Sequence, residues 1–156
     1  MDSIRQQIIT TFHARMEEIR RLNGYTTDVG AHVFPWATEE VTMEDTPSLT
    51  YRDRAAAGEQ TTIEDNEGQQ EFALSVEIEV ADNRPGTDRT AAATCRAMIA
   101  DVYAAIGVDD TWGGLALYTT LGDDEMELQR GEHVLCRATI TVVITYRTKM
   151  WDPYNQ

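Results

Sequence analysis

The sequence predicts a single α+β domain, on three patterns: two stretches with apolar residues at helical spacing, a strictly alternating stretch mid-chain, and a long alternating stretch near the end. The order helix, strands, helix, strands implies a largely antiparallel, or mixed, sheet with both amphipathic helices packed on one face. At 156 residues, the chain can bury roughly two-thirds of the surface its unfolded form exposes, so one core suffices without disulfides or metals. Neither a repeat nor a second domain is evident, and residues 1–156 read as one unit.

The first helix is expected over residues 3–22. Ile4, Ile8, Phe12, Met16 and Ile19 form its stripe, Ile9 and Leu22 widen it, and Asp2 or Ser3 caps its start. Arg20 and Arg21 oppose the negative end of the helix dipole, and Asn23-Gly24 supplies a left-handed stop. A short strand is expected over 28–34, closed by Pro35, and another around Leu49–Arg52. Residues 53–69 follow neither period and read as a long flexible acidic loop. Phe72, Leu74, Val76, Ile78 and Val80 then alternate with smaller or charged residues, a strand with one buried face. A second helix starts near Thr87, presents Cys95, Met98, Ile99, Val102, Tyr103 and Ile106, and stops at Gly107. The last third reads as a meander of strands at 114–120, 125–130 and 133–148, followed by an extended tail over 149–156.

The net charge is −14, and it is unevenly placed. Residues 37–83 hold 13 acids against Arg52 and Arg54, a net of −11. A surface of that sign repels phosphate backbones, so stable nucleic-acid binding is not expected. Twelve of the 13 basic residues are arginine, whose planar fork suits interfacial ion pairs. No apolar run approaches the roughly 18 residues that span a bilayer, and the N-terminus lacks the pattern of a signal peptide, so the chain is expected to stay in the cytoplasm that makes it, off the membrane. Cys95 and Cys136 each fall on an apolar face and read as two buried thiols.

Signatures of chemistry are sparse. His13, His32 and His133 share no compact metal-ligand spacing. Asp109-Asp110 and Asp123-Asp124-Glu125 read as solvated turns, and Glu64–Gly68 lacks the ligand spacing of a calcium loop. None of Ser3, Ser48 and Ser75 sits in a nucleophile motif, and Gly113-Gly114 lacks the Lys-Ser/Thr of a phosphate loop. The expectation is therefore a protein that is not an enzyme and needs no cofactor. Trp36, Trp112 and Trp151 lie in expected loops or the tail; they read either as a satellite core or as anchors for a neighbouring subunit, with Trp151 and Tyr154 the better anchors.

Four stretches carry a resemblance: GYTTDVG after the first helix, VFPW at the early strand, TPSLTY at the next, and a terminal strand running into ITYRTKMWDPY. Together with the order of elements they resemble the tail terminator, or tail completion, proteins of long-tailed bacteriophages, the minor tail protein U group. The resemblance implies a virion protein, made in the host cytoplasm, whose copies form a hexameric ring at the head-proximal end of the tail. Such a ring contacts itself, the tail tube protein and the head-tail connector, ends tube polymerisation, and lets DNA pass without binding it specifically. On that reading Arg15, Arg20, Arg21, Trp36, Arg52, Arg54, Trp151 and Tyr154 are candidate interface residues, and Arg15, Arg20 and Arg21 would meet the acidic segment of a neighbour. Glu59, Glu64, Asp65, Glu67 and Glu71 are candidates for an acidic lumen or ring face. Two alternatives stand beside it: another neck component such as a head-completion protein, and a small-ligand-binding or enzymatic domain whose pocket gathers His32, His133 and carboxylates.

Overall fold

A computed structural model of the chain describes residues 1–37, 42–62, 68–84 and 86–156. Two α-helices and five strands form an α+β domain: α1 (Ile4–Glu17), β1 (Val33–Pro35), β2 (Ser48–Thr62), β3 (Gly68–Arg84), α2 (Asp88–Gly107), β4 (Tyr118–Arg130) and β5 (Val134–Lys149). The sheet order is β1-β2-β3-β5-β4, antiparallel throughout except for the parallel pair β1–β2. The chain crosses from β3 to β4 through α2, and β5 then returns between them.

Alternation in β3 and β5 decides which face is buried. Leu74, Val76, Ile78 and Val80 share one face with Val134, Cys136, Ala138, Ile140, Val142, Ile144 and Tyr146, and α2 covers it with Cys95, Met98, Ile99, Val102 and Ile106. The α1 stripe of Ile4, Ile8, Phe12 and Met16 completes the same core, with the Phe12 ring set edge-on against Tyr51 of β2 at 4.9 Å. Both cysteines are buried and free. The opposite face carries Arg52, Arg54, Glu77, Glu79, Glu125, Glu127, Arg137, Thr139, Thr141 and Arg147, and among the described residues no helix lies on it.

The helix starts follow their capping residues. Ser3 accepts from the Gln6 amide at 3.2 Å, and Thr87 and Thr90 cap α2 reciprocally. The other boundaries depart from expectation. α1 ends at Glu17, five residues before Leu22, because the Glu18 and Ile19 amides turn back to the Arg15 and Met16 carbonyls. Gly24, at φ +92°, is left-handed as expected, but it closes a 3₁₀ turn at Arg21–Asn23 rather than the helix. Half of the expected strand at 28–34 is a second 3₁₀ turn, Val29–Ala31.

Residues 53–62 are not loop but the continuation of β2, paired with β3 as far as Thr62 opposite Gly68. Their Ala-, Gly- and Thr-rich composition carries little strand signal alone; β3 supplies the pairing. The segment expected to break at 121–124 is one strand, β4, with a register irregularity between Leu121 and Asp124, so Asp123-Asp124-Glu125 is strand and not a turn. The tail is not extended either. Asp152 bridges back to Lys149, the Asn155 carbonyl takes the Lys149 amide at 2.8 Å, and the Pro153 carbonyl takes the Ile4 amide at 2.9 Å.

Candidate subunit interface

The GYTTDVG stretch is built by the core. Asp101 of α2, 5% exposed, accepts from the Thr26 amide at 3.1 Å and from the Thr27 amide and hydroxyl at 2.7 Å each. Asp28 accepts from the Arg21 amide at 2.9 Å. Gly30 donates to the Ile19 carbonyl at 3.0 Å, so close that a Cβ would run into the Met16 and Ile19 carbonyl oxygens. The motif therefore fixes α1 to α2, a structural task.

Two of the three α1-side arginines, Arg15 and Arg21, are committed within the chain. Arg15, its side chain 13% exposed, lies 4.1 Å over the Trp112 ring and donates to the Asp109 and Ile106 carbonyls; burial lowers its pKa. Trp112, expected in a loop, is fully buried against Phe12 and donates to Thr119 at 2.8 Å. Arg21 donates to the Thr26 carbonyl at 3.0 Å and faces Asp28 at 3.7 Å. Arg20 is half-buried, and its Nε has no hydrogen-bond partner among the described residues. Of the three, Arg15 is thus withdrawn from any neighbour by its own Trp112, which it reaches because α1 and the 109–112 turn meet in the core.

Trp36, Arg52 and Arg54 gather along β2. Trp36 donates to Asp53 at 2.9 Å, and Arg5 of α1 donates to the same carboxylate at 2.8 Å. Arg52 lies 3.9 Å from Glu77, while Arg54 is exposed with no ion-pair partner among the described residues. A hollow of about 330 Å³ lined by Trp36, Arg52, Asp53, Arg54 and Glu77 wraps this edge. At another end of the molecule Trp151 is 90% exposed, at φ +61°, and Tyr154 is exposed too. The tail reaches Leu115, where Gln156 donates to its carbonyl, close in the chain to the exposed Leu117 and Tyr118.

The acidic block is less bare than its composition implies. Glu71 is paired with Arg147 at 2.9 Å and Glu79 with Arg137 at 3.4 Å, both arginines lying outside the block. Glu64, Asp65 and Glu67, and the side chain of Glu59, lie outside the described residues. The exposed acids left out of the candidate acidic face are on β4: Asp123, Asp124 and Glu125, expected as a solvated turn, and Glu127. Their signal was the alternation Glu-Met-Glu-Leu, which places Glu125 and Glu127 on one face. Asp124 accepts from the Tyr103 hydroxyl at 2.7 Å; burial, then this bond, pushes that phenol up to about 12. Asp109 does cap its own turn, and bonds from Thr111 and Gly113 hold its carboxyl down at about 2.

The histidines are not brought together. His32 stacks on Phe34 beside β1, His133 sits at the β4–β5 turn, and β2 and β3 lie between those places; His13 contacts the Tyr51 hydroxyl at 2.9 Å. Among the described residues no group of three His, Cys, Asp or Glu could hold a metal ion, and no helix is long and apolar enough to cross a membrane. Compared with protein families and with curated proteins, the chain matches none.

Proposed function

We propose that this chain is a non-catalytic structural subunit of a bacteriophage virion, forming a ring that caps the head-proximal end of the tail tube and presents a joining surface to the head. The reading rests on the resemblance of its four motifs to tail terminators. The observation that supports it best is the exposed aromatic end. Trp151 occupies a left-handed backbone position that costs a non-glycine residue about 1–2 kcal/mol, yet it buries almost nothing within its own chain. With Tyr154, Leu117 and Tyr118 also exposed, that end suits a protein partner, since large aromatics anchor interfaces.

The test is the mass of the purified protein by light scattering at low and physiological salt, with imaging alone and with tail tubes. Rings, alone or on tube ends, are the expected result. A monomer or dimer that ignores tubes overturns the reading. Binding to the head connector but not to tubes would instead assign the chain to the head-completion class.

A further inference from the structure

We propose that copies of this chain join head to tail through their sheet edges, β4 of one copy pairing antiparallel with the outer edge of β2 in the next. The inference rests on the ring-forming reading and names its interface. Among the described residues no strand pairs with the outer side of β2 beyond Tyr51, where the Asp53 carbonyl takes only the Arg5 guanidinium at 3.3 Å, nor with the outer side of β4. Uncovered edges present unpaired amides and carbonyls and are templates for another strand.

Hydrogen-bond parity fits the two edges together. The Leu49 amide and Tyr51 carbonyl bond outward toward β1, so the odd-numbered residues of β2 point outward up to the irregularity at Ala57. Following the paired residues Tyr51, Ile78, Ile140 and Asp124 across the sheet makes Asp124 and Met126 the outward residues of β4. β2 and β4 run in opposite directions, so a neighbour continuing the sheet brings them together antiparallel. Ala55 then faces Asp124, and Arg52 and Arg54 face Glu127 and Glu125 in the close, non-hydrogen-bonded positions of the ladder.

Charge selects this pairing over the alternatives. All four side chains lie on the uncovered face, and all four are exposed. Two β4 edges would set acid against acid, while β4 against β2 sets acid against arginine. On the helix side the same register brings exposed Leu128 toward exposed Trp36. The two edges are different surfaces, so the contact is heterologous and closes into a ring if the rotation is right.

A charge-swap experiment tests this. Arg52→Glu with Arg54→Glu makes one variant, Glu125→Arg with Glu127→Arg the other, and each is checked by circular dichroism and sized alone and mixed. Each alone should self-associate at least about tenfold more weakly than the parent, and the mixture should recover assembly, because every contact again joins opposite charges. A parent that assembles while both variants alone assemble equally well overturns the edge pairing and leaves the ring reading standing. For a parent that is monomeric alone but forms rings on tubes, the variants are sized on tubes, and rings that form equally well with each variant alone overturn the pairing. Should either variant misfold, neutral Arg54→Gln gives the second readout: weakened assembly with reduced salt dependence is expected, and unchanged assembly overturns the pairing.

Discussion

The two faces of the sheet share strands but not chemistry. One packs Leu74, Val76, Ile78, Val80, Ile140 and Ile144 under two helices; the other sets Arg147 against Glu71, Arg137 against Glu79 and Arg52 against Glu77 in partial exposure. Burial of apolar area stabilises the fold at roughly 25 cal/mol per Å², whereas exposed ion pairs are worth about 0–1 kcal/mol each. The covered face therefore holds the domain together, and the uncovered one is left to specify contacts.

Substitutions can break or sharpen that contrast. Phe12→Ala removes a fully buried ring that meets both Tyr51 and Trp112, and should cost about 3–5 kcal/mol in urea unfolding. A loss below 1 kcal/mol would deny α1 its place in the core. Gly30→Ala forces a methyl into the α1 carbonyls and should cost about 1–3 kcal/mol by the same measurement. Asp101→Asn keeps the shape and one accepting oxygen but sets an NH2 against donors where the other stood, and about 1–3 kcal/mol is expected, with faster amide exchange at Thr26 and Thr27. Arg147→Gln, on the uncovered face, should shift stability by less than about 1 kcal/mol; a loss as large as that of Phe12→Ala would erase the distinction between the faces.

Much of the fold was legible because its signals are local. The helix starts near Ser3 and Thr87, the left-handed Gly24 and the alternation of β3 and β5 all read correctly from neighbouring residues. Illegible were the features set by distant partners. The Ala-rich start of 53–62 becomes strand because β3 runs beside it, and Trp112 is buried because α1 folds over it. The interface candidates fared unevenly for the same reason: Arg15 is engaged by Trp112 and Asp109, Glu71 by Arg147, while Arg54, Trp151 and Tyr154 remain exposed.

By itself the sequence determined which residues are apolar, at what period they recur and where helices begin, since backbone geometry converts period into face within one element. Only the tertiary structure decided the strand order, the insertion of β5 between β3 and β4, and which charges neutralise one another. Those depend on which distant segments meet, and no local period encodes it; so Glu71, Glu77 and Glu79 are matched by arginines from β2 and β5, while Glu125 and Glu127 on β4 have no ion-pair partner among the described residues.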